Sequence, residues 1–424
     1  MSPIHSQFPP GTEPRSTAGP VIFGLAGMGG YAGTICDLLV DESVRTGGPV
    51  RLAAVCDPRP ADHPRLLERL AKADVKVFDS YPEMLKEKLE AVWLPLPIHL
   101  HRSTTELAMN KGLAVMCEKP VAGSVDDLDA IADLQARTGL AVAIGYQDIY
   151  DPATLQLKQR ILAGDIGQIQ QVVLRGTWPR DDQYFNRNNW AGKLRQGDCW
   201  VLDSPVNNAM AHFLNLALFL VGPSLRDSAE PVSIDAELYR VNQIENFDTC
   251  ALRVTTKQGA VLLVLLTHAC QTNFGPIIEL RGSAGSAQYT AFKDYKITRR
   301  GSSETVSTGR NVRVAMVDRF ARWMRGTLGN DLVATLSTSR PPLVVVNGAS
   351  EAAFIRDIPV ECVGSISTPE GGRLRFIEGI EQAFEQCGRL FKLPHETGAF
   401  AWTAAHGTRD LHAYRHFNGP RVGG

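Results

Sequence analysis

No stretch of this 424-residue chain is apolar for long: the longest uninterrupted run is Ala260–Leu266, whereas a membrane-spanning helix needs roughly 18–20 apolar residues. Neither charge is in surplus. Lys and Arg number 44 against 45 Asp and Glu, for a formal net charge of −1, which removes the electrostatic argument for a nucleic acid or an anionic membrane as partner. Cysteine is sparse and scattered, at 36, 56, 117, 199, 250, 270, 362 and 387, with no Cys-x-x-Cys and no Cys/His ladder. No structural zinc and no metal of another kind is expected from such spacing. Most of these cysteines stand inside apolar segments such as LAAVC and GLAVMC, where Cys acts as a small core residue. The opening MSPIHSQFPPGTEPRSTAGP lacks an apolar h-region and a twin-arginine pair, so no export signal is visible. Residues 1–19 read as a disordered lead-in to a reduced, cytoplasmic protein.

What the chain does have is apolar material, 44% of its residues, enough for a large core and for two or three domains at this length. Val21–Ala26 (VIFGLA) is followed at once by Gly27-Met28-Gly29-Gly30-Tyr31-Ala32. Tyr31, Ile35, Leu38 and Leu39 then recur with the period of a helix packing one face. Strand, glycine turn and helix form the context in which G-x-G-x-x-G/A marks a dinucleotide site. Gly27 permits the tight turn, Gly29 lets the backbone approach a pyrophosphate, and small Ala32 lets helix and strand pack closely. The helix start offers N–H groups to the phosphates. Val50–Cys56 reads as a second strand ending in Asp57, an acid that can bond both ribose hydroxyls and would repel a 2′-phosphate. Arg59 softens that repulsion, so the expected cofactor is NAD, with NADP as second choice.

Alternation continues with a helical stretch at Ser80–Lys88, a strand at Ala91–Leu94, and a helix at Thr104–Lys111. A strand at Leu113–Cys117, a helix at Ser124–Thr138 and a strand at Leu140–Ile144 follow. Such βα alternation over 20–145 means a mostly parallel sheet with helices on both faces. Two strand ends carry chemistry: Pro97-Ile98-His99-Leu100-His101 after AVWLPL, and Glu118-Lys119-Pro120 after GLAVMC. Ligands bind at such carboxyl ends. A Lys119 ammonium beside a cationic nicotinamide would lose its proton more readily than a free lysine, and it can orient the reacting oxygen or share its proton.

The phrases KGLAVMCEKPVAGSVDD and GYQDIYDPATLQLKQRILAGDIGQI resemble the Gfo/Idh/MocA family, of the glucose–fructose oxidoreductase and inositol dehydrogenase type. The likeness runs from about Val21 to Gly222 and more loosely through ELRGSAGSAQ (279–288). It implies an α/β fold in two parts: an N-terminal Rossmann dinucleotide-binding domain (20–145), then an α+β domain (146–395) with a large open, mostly antiparallel sheet, one face of which often makes an oligomer contact. A tail (396–424) would follow. By the same resemblance Gly27, Met28, Gly29, Gly30 and Tyr31 form the phosphate loop. Pro97 and His101 match a Pro-x-x-x-His turn beside the cofactor, where Leu96 and Ile98 replace the family's small hydroxyl residue and Asn. Glu118 and Lys119 match the Glu-Lys-Pro motif between nicotinamide and substrate.

Residues 203–223 read DSPVNNAMAHFLNLALFLVGP. Ser204 suits an N-cap, Pro205 the first helical position and Gly222 the end, so a helix is expected over about 205–221. Asn208, His212 and Asn215 share one stripe of an otherwise apolar helix, and a buried polar stripe needs partners in the core or in a substrate. The family's pattern here is Asp-x-x-x-His-x-x-Asp. His212 matches its catalytic histidine, and Asn208 and Asn215 stand where it has Asp. Asn208 cannot stabilise an imidazolium as a carboxylate would; Asp203 and Asp198 are the nearby acids.

The stretch TWPRDDQYFNRNNWAGKLRQGDCW (177–200) joins three Trp with guanidinium and amide donors, a set that suits a polyhydroxylated ligand as well as a structured surface loop. Tyr184, Arg187, Asn188 and Trp190 are the substrate-side candidates. The aromatic, His-rich Phe400–Phe417 reads as an interface or lid segment. The expectation is a cytoplasmic homodimer or homotetramer, assembled through the second sheet. It would move a hydride between nicotinamide and a sugar, cyclitol or related polyol, with Lys119, His212 and Asn208 as the catalytic set. Two rivals share the scaffold: an NAD-dependent glycoside-cleaving enzyme that oxidises its sugar transiently, and a catalytically silent sugar- or nucleotide-sensing regulator.

Overall fold

The computed structural model describes residues 19–309, 311–328 and 332–421; apart from Gly19, the expected disordered lead-in lies outside them. Contacts group the chain into two compact units. One takes the chain up to Ala122, Asp127–Tyr150 and Asn311–Leu336, and the other takes the remainder. The expected order of consecutive domains meeting at 145/146, with a separate tail from 396, is corrected accordingly. The physical reason is the helix Val312–Met324, whose fully buried Phe320 packs on Phe23 with ring centroids 5.6 Å apart. Just beyond it, Arg325 forms a two-pronged ion pair with Glu90, each arm 2.8 Å.

The first unit is built on six parallel strands, β1 (Val21–Ala26), β2 (Val50–Cys56), β3 (Lys76–Phe78), β4 (Ala91–Leu94), β5 (Ala114–Cys117) and β6 (Val142–Ile144), in the order β3-β2-β1-β4-β5-β6. Every residue of β4 and β5 is buried, as unbroken apolar strands between helices require. The strand order reverses between β1 and β4, and ligands of open parallel sheets bind outside the strand ends at such a point. Several helix expectations change. Ser80–Lys88 holds only one turn of helix, Tyr81–Met84. The helix expected at Thr104 begins already at Ile98, with Pro97 as its N-cap, so His99 and His101 stand in its first turn. The helix Pro64–Lys72 and the short β3 had no counterpart in the sequence reading.

In the second unit a ten-stranded sheet runs through β7 (Ile169–Thr177), β8 (Pro231–Arg240), β9 (Thr249–Thr256), β10 (Val261–Thr267), β11 (Phe274–Gly282), β12 (Gly285–Thr290), β13 (Asp294–Arg299), β14 (Ser302–Ser307), β15 (Ile355–Asp357) and β16 (Gly407–Asp410). Their order is β14-β13-β12-β11-β7-β10-β9-β8-β15, with β16 also paired to β8. All pairs are antiparallel except β7 with β10 and β8 with β15, so the expected mostly antiparallel sheet is present. On one face, Tyr239, Ala251, Leu263 and Leu265 are buried under Ile380, Phe384, Leu393 and Trp402. The aromatic tail is thus part of the sheet and its cover: β16 is a strand, and Trp402 meets Tyr239 edge-on at 5.2 Å. The helix Ala211–Val221 is buried at nearly every residue. Buried Lys158 ends it, donating to the Phe219 carbonyl at 2.5 Å, with its ammonium 3.7 Å from the Phe219 ring centroid. Burial pushes the Lys158 amine down to about 7.

Candidate functional site

In the first unit the glycine turn has the backbone that its sequence requires. Gly27 has φ +102°, and its N–H donates to the Cys56 carbonyl at 2.7 Å, tying the turn to the end of β2. A Cβ on Gly27 would lie 3.1 Å from that of Ala32, so positive φ and close packing of the helix Tyr31–Val44 both call for glycine. Gly30, at φ +54°, starts that helix without a side-chain cap. The Met28 side chain is buried, and its N–H donates to Asp57 Oδ2 at 2.8 Å. Asp57 Oδ1 accepts the Arg59 N–H at 2.9 Å, while the Arg59 guanidinium turns to Asp62 at 3.5 Å. His63 completes the cradle. Its Nε2 lies 3.8 Å from Asp57 Oδ2, and a Cβ on Gly29 would meet its ring at 3.5 Å. Tyr31 accepts from Arg313 Nε at 3.2 Å. A positive-φ turn, an uncapped helix start and a carboxylate at the next strand end are the donor and acceptor set that a dinucleotide's pyrophosphate and ribose require, so these residues fit the cofactor expected of them.

The Pro97 turn and the Glu118–Pro120 segment are joined by His101. This ring is wholly buried, with Nε2 2.7 Å from the Leu96 carbonyl and Nδ1 2.8 Å from the Pro120 carbonyl. Both nitrogens face backbone carbonyls, to one of which a neutral ring donates, so His101 positions the two loops and turns no nitrogen toward a ligand, a correction to its expected place among cofactor contacts. Burial pushes its pKa down to about 4. Glu118 is buried as well, accepting from Trp93 Nε1 at 3.2 Å and from the Lys119 N–H at 3.3 Å. Burial pushes this carboxyl up, opposed by the charges of Lys119 and Arg313. A Cβ on Gly145 would fall 2.6 Å from the Glu118 carboxyl, so only glycine leaves room for it there. Lys119 is half-buried at the end of β5.

In the second unit the expected helix over 205–221 is two pieces. Pro205–Ala209 forms a wide turn closed by the Met210 N–H on the Pro205 carbonyl at 2.9 Å, and regular helix begins at Ala211. Ser204 makes no side-chain cap. The expected polar stripe therefore divides. Asn215 is fully buried and donates to the Thr338 carbonyl at 3.1 Å, while its Oδ1 is buried without a donor. Asn208, in the wide turn, donates to Asp203 Oδ1 at 2.6 Å. Asp203 is buried, its Oδ2 accepts the Gly192 N–H at 2.6 Å, and its carbonyl accepts from Asn246 Nδ2 at 3.1 Å. A carboxylate thus stands one hydrogen bond from Asn208, ahead of half-buried His212; of the two acids considered, Asp203 rather than Asp198 holds this place.

Of the loop candidates, Tyr184 follows Asp181, which caps the short helix Asp182–Asn186 by accepting the Tyr184 N–H at 3.1 Å. The Arg187 guanidinium lies 3.7 Å from the Tyr184 ring centroid and 5.4 Å from that of Trp190. Asn188 spends its carbonyl oxygen on the N–H groups of Trp190 and Ala191, at 3.1 and 2.8 Å, which leaves its amide N–H groups for a ligand. Arg180, 4.7 Å from the Tyr184 centroid, and buried His268, 5.8 Å from it, complete the cluster. The sequence reading missed both, as it missed His63, Trp93 and Arg313. Arg180 lay within the stretch singled out, while His268, Trp93 and Arg313 are brought in by strand order and by the returning helix. Among the described residues, no group of three or more His, Cys, Asp or Glu is placed to hold a metal ion, and no helix is long and apolar enough to cross a membrane.

The model of the oxidoreductase family's NAD-binding Rossmann fold matches residues 21–146, and that of the GFO/IDH/MocA C-terminal domain matches 154–288. The chain belongs to the Gfo/Idh/MocA family. Its cofactor domain is accordingly that family's NAD-binding Rossmann domain. Among curated relatives, myo-inositol dehydrogenase Hyg17 of Streptomyces leeuwenhoekii is 29% identical over 127 residues, 30% of this chain and 38% of the relative. The dTDP-3,4-didehydro-2,6-dideoxy-alpha-D-glucose 3-reductase of Streptomyces violaceoruber is 30% identical over 162 residues, 38% of this chain and 43% of the relative. The chain thus spans less than half the length of either. Among solved structures, the WlbA dehydrogenase from Bordetella pertussis, in complex with NADH and UDP-GlcNAcA, shares the fold with a TM-score of 0.62 at 20% identity, over 78% of this chain and 96% of that one.

Proposed function

We propose that this Gfo/Idh/MocA protein is a cytoplasmic, NAD-dependent oxidoreductase that interconverts a ring alcohol and ketone on a sugar, cyclitol or related polyol. The observation that carries this reading is the Asp203–Asn208 bond at 2.6 Å directly ahead of His212, because it supplies a buried negative charge near the residue expected to take a proton. Relatives named as an inositol dehydrogenase and a sugar-nucleotide reductase support the substrate class. Bound NAD supplies the hydride acceptor. His212 takes the hydroxyl proton as the alcohol becomes a carbonyl. A neighbouring carboxylate favours the imidazolium so formed. Lys119 donates a hydrogen bond to the reacting oxygen and steadies the charge that grows there. Asp57, fixed by two backbone N–H groups, selects NAD over NADP through ribose hydroxyls and repulsion of a 2′-phosphate.

If the chain assembles through its second sheet, the contact uses the β12–β14 end, since the face over β8–β10 is covered by the chain's own residues from Ile358 to Trp402. The test of the function is a panel of sugars, cyclitols and polyols offered with NAD to the purified protein, following absorbance of reduced nicotinamide. Net reduction with at least one free polyol is expected. Release of an aglycone without net NADH would replace the reading with glycoside cleavage, and binding without turnover of any kind would replace it with sensing.

A further inference from the structure

Beside the Asp203–Asn208 bond lies an excess of positive charge that the reaction proposed above does not use. Arg180 and Arg187 both reach the Tyr184 ring, at 4.7 and 3.7 Å. Among the described residues their hydrogen bonds are local: Arg180 donates to the Pro179 carbonyl at 3.2 Å and reaches the Tyr184 phenol, and Arg187 donates to the Tyr184 carbonyl at 2.5 Å. Arg180 Nε is buried without an acceptor. Buried polar atoms almost always find a partner, and each exception asks for an explanation. Among the described residues neither guanidinium forms an ion pair, and the acids in the neighbourhood are already committed. Asp181 accepts from the Tyr184 N–H and from Thr368 Oγ1, both at 3.1 Å. Asp203 is held by Gly192 and Asn208. Asp248, beyond His268, accepts from the Val241 and Asn242 N–H groups at 3.0 and 2.8 Å.

His268 adds no third charge. Burial, reinforced by Arg180 and Arg187, pushes its pKa down to about 3, and its Nδ1 faces the Trp178 carbonyl at 2.9 Å. The cluster adjoins the proposed reaction centre from two sides: the Trp178 ring meets Phe213, the neighbour of His212, at 5.9 Å, and the charge of Asp203 acts on the Tyr184 phenol. Two guanidiniums without carboxylates, on an aromatic platform and next to a proton acceptor, make the two-pronged donor set that planar or tetrahedral anions bind best.

We propose that the substrate is an acidic sugar, bearing a carboxylate or a phosphate, whose anion is held by Arg180 and Arg187 beside Tyr184. This inference rests on the dehydrogenase reading for the identity of the site, and it names the substrate class of that site.

The test is direct binding to the NAD-loaded protein, read by calorimetry and by tryptophan fluorescence, with four probes: glucuronate, glucose 6-phosphate, glucose and myo-inositol. One or both acidic probes are expected to bind roughly 10–100-fold tighter than the neutral ones, the difference a charge-assisted bond pair makes, and to weaken as salt rises. The carboxylate and phosphate arms decide which anion the cluster fits. Arg180→Gln and Arg187→Gln should each remove roughly tenfold or more of the acidic probe's affinity and cost the neutral probes much less, with Arg180→Lys restoring part of it. Arg187 is exposed, so its variant folds even if that at Arg180 does not. Equal affinity for acidic and neutral probes, or an acidic probe indifferent to both Gln variants, overturns the proposal. Turnover of a neutral polyol with no acidic probe bound leaves the dehydrogenase reading standing and removes this one. Arginine-dependent binding of an acid with no NADH from any substrate does the reverse.

Discussion

Residues 27–31 and residues 203–212 each lead into a helix with polar groups at its start, and they do so by opposite means. The first stretch works through backbone. Positive φ at Gly27 and Gly30 shapes the turn, and main-chain N–H groups tie it to the end of the next strand, at Cys56 and Asp57. The second works through side chains. Asp203 is kept in place by Gly192 and by Asn246, which the chain delivers from some way off, and in turn holds Asn208 ahead of His212. A backbone site is made by its own sequence and breaks only where a Cβ is intolerable. A side-chain network is made by the fold and breaks at any member.

The sharpest way to separate the two regions is to remove one chemical group from each side of the proposed reaction. Lys119→Ala and His212→Ala should each lower kcat by about 10²–10⁴, the usual loss of an acid–base or orienting group. Neither touches the glycine cradle, so NAD affinity, measured by fluorescence quenching, should stay within a few-fold. Full activity in either variant refutes its role. Loss of NAD binding on Lys119→Ala would move that residue from the reaction into the cradle.

His101 tests whether the first unit is as local as its glycine turn. Burial pushes its pKa from the ordinary 6.5 to about 4, so the folded protein keeps the ring neutral where the unfolded chain already takes a proton. The stability tied to this neutral ring is complete above about pH 6.5 and falls as pH drops toward 4, a loss on the order of 3 kcal/mol. His101→Gln, which can still donate to a carbonyl, should make the urea midpoint less acid-sensitive across that window. The slope should not vanish, because buried His268 is pushed down in the same direction, to about 3. An unchanged slope would mean that the ring is not held neutral beside the Leu96 and Pro120 carbonyls.

This contrast also explains what was legible. Five of the six strands of the parallel sheet, all but the short β3, follow from apolar runs and turns that each report on a few neighbouring residues, and so does the glycine turn: Gly27, Ala32 and Asp57 could be singled out before any fold was known. Helix 205–221 was legible in extent and wrong in detail. Nothing in PVNNAM announces a wide turn, and that turn lets Asn208 reach Asp203 while Asn215 goes to Thr338. Arg313, Trp93 and His268 carried no signal, because their partners lie far off in the chain and only the returning helix and the strand order bring them together. The tail looked like an appendage because its aromatics have no helical or strand period, yet Trp402 finds Tyr239 and β16 finds β8.

A smaller effect tests the cradle's choice of cofactor. Asp57→Ser removes the charge that opposes a 2′-phosphate but keeps an oxygen near the Met28 N–H. The ratio of NADP to NAD affinity should rise by roughly tenfold, the order expected of one charge near a surface. If the native protein already prefers NADP, the assignment to Asp57 is wrong and Arg59 becomes the determinant, in spite of its turn toward Asp62.

The smallest effect is the most informative about the second region. A carboxylate at position 208 facing His212 alone would raise the imidazole pKa by about one unit. Asn208 does not stand alone: it already donates to Asp203 Oδ1 at 2.6 Å. Two carboxylates at that distance cannot both ionise, so they share a proton and carry about one negative charge between them. Asn208→Asp should therefore move the acidic limb of the kcat/KM profile by less than about half a unit, because the local charge scarcely changes. Asp203→Asn removes that charge and should carry the limb to lower pH by up to about one unit, since a general base with no anion behind it sheds its proton sooner. Should Asn208→Asp move the limb up by a full unit while Asp203→Asn leaves it in place, the working carboxylate is not Asp203. Should no limb occur near neutrality in any of the three proteins, His212 is not the base, and Asp203 itself becomes the proton acceptor to test.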